Sequence, residues 1–318
     1  MKIPYSYKPS GTYQIISETA EKLPNWCKFL KASKRGYQKY NALDWKGISQ
    51  KLILKPFTIE TFELQTDSEI CFTIEIKEKI TMLYFLLEGN VSFQTNTGCF
   101  LSEVNNSFFY LVQNNRGIYV GKFSAGFHIA VIITIAHNWL SKVHSDYPNL
   151  TSEIDSFLNN KTYRTFFPTL RLSKSIRRQL FLLISENETN ISVTKKFFQY
   201  CIAKILSQYD KSVKYKKEIA AYKIKNYLDQ HFTDPEIDTI HLVKLFHITD
   251  RTLRHQFRKL FHTSVKQYCN SLRMEYANQL LHNSGKKIKD VYSLVGFRDE
   301  RSFRSAYNHF LRSSQIHL

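Results

Sequence analysis

The stretch Thr249-Asp250-Arg251-Thr252-Leu253-Arg254-His255-Gln256-Phe257-Arg258-Lys259-Leu260 decides how this chain is read. Thr249 and Asp250 are both residues that cap helix N-termini well, and the pattern after them is helical. At about 100° per residue, Leu253, Phe257, Leu260 and Phe261 gather on one side, and Arg251, Arg254, His255 and Arg258 gather on the opposite side. One face is apolar enough to bury, and the other is cationic.

Just upstream, Ile240 to Phe246 forms a short helical pattern with Leu242, Val243 and Phe246 apolar, joined to the basic helix by a few residues around His247-Ile248. Helix, tight turn and capped basic helix together make a helix-turn-helix. The same grammar returns about fifty residues later. Ile288, Val291 and Leu294 pattern a short helix, Val295-Gly296-Phe297 makes the turn, and Asp299 stands ready to cap a helix from Glu300 to Phe310. Gly296 suits a left-handed turn position. Arg301, Arg304, Ser305 and Asn308 share one face, opposite Phe303, Ala306, Tyr307 and Phe310. Between the two units, Val265 to Asn283 reads as a long helix with Tyr268, Leu272, Ala277, Leu280 and Leu281 on its apolar side. A basic helical face alone is usually only a solvated surface. Two copies at matched positions, each with an aromatic anchor at Phe257 or Tyr307, are a stronger signal.

Outward from this tail, the texture changes. Residues 1–50 mix aromatics, lysines and breakers without a clear period and read as an irregular or short-helical lead-in. From Lys51 to Ile135, the β-rich runs Phe72–Ile76, Leu83–Leu87, Phe108–Val112 and Ile129–Ile135 are separated by the turn signals Glu88-Gly89-Asn90, Asn96-Thr97-Gly98 and Asn114-Asn115-Arg116-Gly117. Such spacing predicts an antiparallel sandwich or barrel. Helical periods follow near Glu153–Asn159, Lys174–Ser185 and Ser192–Asp210. In the third, Phe197, Phe198, Cys201, Ile202, Ile205, Leu206 and Tyr209 form a stripe that either pairs two subunits in a homodimer, through Phe197, Cys201 and Ile205, or packs on its own sheet. The charged run Lys211 to Lys217 reads as the linker, and seven helices are expected from Glu218 onward. The expected layout is α+β with two domains: a lead-in (1–50), a β-rich domain with trailing helices (51–210), a linker (211–217) and an all-α domain (218–318).

The 318-residue chain carries a formal net charge of +18, which calls for an anionic partner. Residues 216–318 hold 18 basic and 10 acidic side chains, so the surplus is denser in the tail but not confined to it. Cys27, Cys71, Cys99, Cys201 and Cys269 lack the close spacing of a zinc or redox motif and read as free thiols. No apolar run follows the charge at the N-terminus, and the stretch Ile129–Ala136 is too short to span a bilayer, so a cytoplasmic protein without membrane contact is expected. There is no nucleophile with a nearby base, no phosphate loop and no paired metal ligand set, which disfavours an enzyme and leaves catalytic residues and cofactors unassigned. His128, His137 and His144 lack metal-site clustering.

The tail resembles the AraC-type transcription regulators, whose DNA-binding domain carries two helix-turn-helix units joined by a long helix. The resemblance covers roughly Ile219 to Phe310 and rests on Leu253, Phe257, Lys259, Tyr268, Arg273, Ala277, Leu280-Leu281, Ile288, Val291, Val295-Gly296-Phe297, Phe303, Tyr307 and Phe310. It implies a transcription regulator, an activator by preference, that contacts double-stranded DNA and RNA polymerase. It places Arg251, Arg254 and His255, then Glu300, Arg301, Arg304 and Ser305, at base edges. Arginine can donate to guanine O6 and N7, and Glu300 can accept from cytosine N4. Arg258, Lys259 and Lys266 suit phosphate contacts. The resemblance also implies a cupin-like sensor domain in front, open to a small-molecule effector whose identity and binding residues the sequence leaves unknown. Two departures bear on geometry. His262 and Val265 stand where the family carries Gly and Pro after the first recognition helix, and Leu311 to Ile316 replace a terminal Gly-x-x-Pro. An enzyme built on the β-rich domain and an architectural DNA-binding protein remain as rival readings.

Overall fold

A computed structural model describes residues 3–18, 23–30, 36–98, 100–159, 165–185, 191–283 and 286–315. Cys99 and Ile316 lie outside the described residues. The chain divides into two compact units, formed mainly by the residues up to Lys214 and by those from Tyr215 onward.

The first unit is β-rich, as its alternating runs require. Its strands are β1 (Tyr5–Pro9), β2 (Gln14–Glu18), β3 (Tyr37–Asn41), β4 (Trp45–Leu54), β5 (Phe57–Thr66), β6 (Ile70–Ile76) and β7 (Ile80–Glu88). They continue with β8 (Val91–Thr95), β9 (Phe100–Val104), β10 (Phe108–Asn114), β11 (Gly117–Phe123), β12 (Gly126–Ile135), β13 (Thr165–Phe166) and β14 (Leu170–Arg171). One sheet runs β1-β6-β11-β8-β9, and the other runs β13-β10-β7-β12-β5-β4-β3-β2 with β14 also on β10. The helices are α1 (His137–Val143), α2 (Thr151–Leu158), α3 (Lys174–Ser185) and α4 (Ile191–Lys217).

Strand β5 shows how the layers are built. It is buried on both faces, and the period of two sends Phe57 and Ile59 into a core shared with the helices. Phe62 and Leu64 point the other way, into an aromatic core with Phe72 and Phe123 of the smaller sheet. Two carboxylates ride on the same strand. Glu60, fully buried, accepts from the Tyr5 hydroxyl at 2.5 Å and the Tyr7 hydroxyl at 2.7 Å, with the Lys51 ammonium at 3.2 Å. Since β1 and β5 belong to different sheets, this cluster clasps one sheet to the other. Glu63 accepts from the backbone amides of Lys28, Phe29 and Leu30 at 2.8, 3.0 and 2.6 Å.

Three expectations are corrected. Residues 1–50 are not an irregular or short-helical lead-in, because four strands lie there: β1 pairs with β6 in the register Tyr5↔Ile76, and β2, β3 and β4 extend the larger sheet. The stripe on α4 is not free to pair subunits through Phe197, Cys201 and Ile205. Phe198, Cys201, Ile202, Ile205, Leu206 and Tyr209 are fully buried in the unit's own core, with Phe197 half-buried beside them. The Tyr209 ring meets Phe109 at 5.2 Å, and its hydroxyl donates to the Pro168 carbonyl at 2.6 Å. The run 211–217 is not an extended linker either, because it continues α4, with Val213 fully buried on the same stripe.

The second unit is all helix among its described residues from Tyr215 onward. After the end of α4 it holds α5 (Ala220–His231), α6 (Thr239–Leu245), α7 (Asp250–Phe261), α8 (Val265–Asn283), α9 (Ile288–Val291) and α10 (Glu300–Gln315). Six described helices thus stand where seven were expected. No described helix is long and apolar enough to cross a membrane.

Candidate nucleic-acid interface

Each helix-turn-helix is assembled by local rules. Asp238 caps α6, accepting from the His241 amide at 2.7 Å. Thr249 caps α7 through the Thr252 amide at 3.1 Å, and Asp299 accepts from the Ser302 amide at 2.7 Å to open α10. That amide bond, helped by the nearby Arg301, holds the Asp299 carboxyl below its ordinary range. The two turns share one closure. Ile248 N–H donates to Val243 O and His247 N–H to Lys244 O, and Phe297 N–H donates to Tyr292 O and Gly296 N–H to Ser293 O. The left-handed residue this closure needs is Gly296 (φ +84°) in the second turn and His247 (φ +50°) in the first. A histidine carries no glycine signal, so only the second turn stands out in the sequence.

Both recognition helices bury their apolar side and expose their basic one. Leu253, Phe257 and Phe261 of α7 are buried, as are Phe303, Tyr307 and Phe310 of α10. Phe257 packs edge-on to Tyr268 at 5.7 Å, and the Tyr307 hydroxyl donates to Asn278 Oδ1 at 2.9 Å, so α8 backs both helices. Arg251, Arg254, His255, Arg258, Lys259 and Lys266 are exposed and line one cleft beside Asp250. Arg301, Arg304 and Ser305 are exposed on α10, with Glu300 half-buried at its start. The sequence-derived residues of the first helix-turn-helix therefore share one surface, and those of the second share another.

The two departures from the family pattern are absorbed locally. His262 takes the left-handed position after α7 (φ +53°), the conformation a glycine would have adopted freely. The next helix starts without proline. Ser264 Oγ accepts from the Gln267 amide and Gln267 Oε1 accepts from the Ser264 amide, each at 3.2 Å, so a reciprocal capping box opens α8 at Val265. At the other end, α10 runs on through Gln315.

A knot that sequence reasoning missed ties the two helix-turn-helix motifs of the second unit together. The buried Arg273 guanidinium of α8 donates from Nε to the Phe232 carbonyl at 2.7 Å and from Nη2 to the Asp234 carbonyl at 2.8 Å, satisfying the frayed end of α5. Gly296 lies against the same segment, so close that a Cβ there would stand 2.7 Å from Thr233 O. Arg298 pairs with Glu236 at 2.9 Å, and the Arg273 guanidinium lies 5.7 Å from the Phe297 ring centre. The turn of the second helix-turn-helix is thus docked on the α5–α6 loop that precedes the first. Asp250 does not serve as the cap. Thr249 does the capping, and the Asp250 carboxylate accepts from Arg254 Nε at 2.9 Å, raising the affinity of that guanidinium for its proton. An acid four residues before an arginine was the available signal.

Residues 242–314 match the family described as helix-turn-helix domain. The tail of this chain therefore carries a helix-turn-helix domain. Among solved structures, the C-terminal domain of the two-component response regulator yesN from Fusobacterium nucleatum is similar at 25% identity, over 27% of this chain and 90% of that one, with a TM-score of 0.27. ToxT from Vibrio cholerae is similar at 15% identity over 80% and 95% of the two chains, with a TM-score of 0.31. The AraC-like transcriptional activator CuxR is similar at 10% over 79% and 86%, also with a TM-score of 0.31. No curated protein matches the chain in sequence.

Proposed function

We propose that the protein is a sequence-specific regulator, acting as an activator, that lays α7 and α10 into successive major grooves. Arg251, Arg254 and His255 from α7, and Glu300, Arg301, Arg304 and Ser305 from α10, meet base edges. Arg258, Lys259 and Lys266 hold phosphates and fix register. The observation that carries this reading is the pairing of two capped, arginine-bearing helices, each exposed on its basic side and backed by α8 on the other. The 19-residue α8 is about 28 Å long, close to the roughly 34 Å between successive major grooves on one side of a duplex. The net charge of +18 supplies the attraction. In this reading RNA polymerase is the second macromolecular partner. The β-rich unit is the seat of a small effector that favours one of two states of the regulator.

Selecting bound sites from a random duplex pool tests this. The expected product is a two-part motif with its halves about one helical turn apart, bound with an affinity that falls steeply as salt rises. A pool without enrichment, or a flat salt response, overturns it.

A further inference from the structure

The sequences after the two caps are the same in kind: Asp250-Arg251-Thr252-Leu253-Arg254 and Glu300-Arg301-Ser302-Phe303-Arg304. In both, the acid is the first residue of the helix and the second arginine lies one turn on. The structure closes both pairs. Arg254 Nε is 2.8 Å from one Asp250 carboxylate oxygen and 2.9 Å from the other. Arg304 Nε donates to Glu300 Oε1 at 2.6 Å, and Nη2 is 2.5 Å from the same oxygen. The arginines remain at the surface, Arg254 with 71% and Arg304 with 53% of its side chain exposed.

A first-turn acid paired with an arginine one turn on adds only modestly to helix stability, and here the same pair recurs at equivalent places on both recognition helices, on the arginines proposed to meet base edges. A lone arginine on such a helix takes any phosphate, at any sequence. A carboxylate bonded to its Nε changes that in two ways. It holds the guanidinium along the helix while leaving N–H groups that point outward to donate, and it adds a negative charge that a phosphate repels. Among major-groove edges, the carboxylate's favoured partner is the cytosine N4 amino group, and the arginine's is the O6 and N7 of guanine.

Resting on the proposed entry of α7 and α10 into major grooves, we infer that Asp250 and Glu300 are specificity-determining residues. Each pair reads a guanine beside a cytosine on the neighbouring base pair, and each carboxylate penalises docking on phosphate elsewhere. The DNA target is then a duplex with one such guanine–cytosine step in each half-site.

The test uses the full chain and its Asp250→Ala, Asp250→Asn, Glu300→Ala and Glu300→Gln variants, with Asp250→Glu and Glu300→Asp as conservative rescues. Unchanged circular dichroism and melting show that each variant folds. Random-pool selection is expected to return a guanine–cytosine step in both halves for the wild type. The Asp250 variants are expected to lose the preference in one half only, and the Glu300 variants in the other half only. The ratio of specific to non-specific affinity is expected to fall ~10-fold in each, because non-specific binding rises as specific binding drops. The rescues keep both preferences. Variants that select the wild-type motif with unchanged non-specific affinity make the carboxylates bystanders and overturn the inference while leaving DNA binding intact. A wild type that enriches no motif overturns the DNA reading itself.

Discussion

Glu60 illustrates what one residue commits a fold to. A carboxylate with no solvent exposure is costly unless every lone pair finds a donor, and here the donors come from Tyr5, Tyr7 and Lys51. Burial, then the Glu60 charge, pushes both tyrosine hydroxyls well above their ordinary range, so they remain donors at any pH the protein meets. Tyr5→Phe is expected to destabilise the first unit by about 1–3 kcal/mol, because it strips a donor from a buried ion and keeps the ring. Urea unfolding measures this. A loss within experimental error would mean that the clasp between the sheets does not hold them together.

At the scale of the element, the caps are where sequence becomes structure most directly. Asp299 opens α10, and its carboxyl titrates lower in the folded chain than in the unfolded one because the Ser302 amide bonds to the ionised form. The cap therefore stabilises fully above the unfolded value of about 3.9, and its contribution is lost as pH falls through the lower folded value. Hydrogen-exchange protection at the Ser302 amide is expected to be constant from neutral pH to about 4 and to drop below it. Asp299→Asn, which still accepts a hydrogen bond but carries no charge, should abolish that pH step. A step that persists in the variant would place its origin elsewhere. Helix α8 makes a complementary point: the Ser264–Gln267 box does by side-chain hydrogen bonds what a proline does by ring geometry.

On the scale of the whole molecule, two helix-turn-helix units are useful only if their separation is held. Arg273, with two carbonyls of the α5–α6 loop, and Gly296, seated against Thr233, supply the second tie besides α8. Inserting about 5 base pairs, half a helical turn, between the half-sites is expected to abolish two-part binding by the wild type. Arg273→Lys keeps the charge but cannot span both carbonyls. It is expected to bind the correctly spaced site more weakly and to lose less on insertion. Binding-competition titrations measure both. Equal sensitivity to spacing in the two proteins would leave α8 as the sole spacer.

The C-terminal architecture was legible in the residues themselves. The spans of α7, α8 and the start of α10, the caps at Thr249 and Asp299, and the basic faces of both recognition helices depend on neighbours within about one turn, and local propensity and periodicity report such neighbours directly. Less local features were not legible. Tyr5 alternates with Tyr7 because β6, some seventy residues away, lies beside it, and no local pattern names that partner. The stripe on α4 is equally fit for a partner subunit or for its own sheet, and Phe109 and the rest of the core decided in favour of the sheet. Lys211 to Lys217 look like linker by charge, yet Val213 is buried and the helix continues. By itself the sequence determined two capped amphipathic helices with arginines on their open sides. The tertiary structure alone decided what covers each apolar face and how the two helix-turn-helix motifs are tied, because burial and long-range pairing depend on which distant segment arrives.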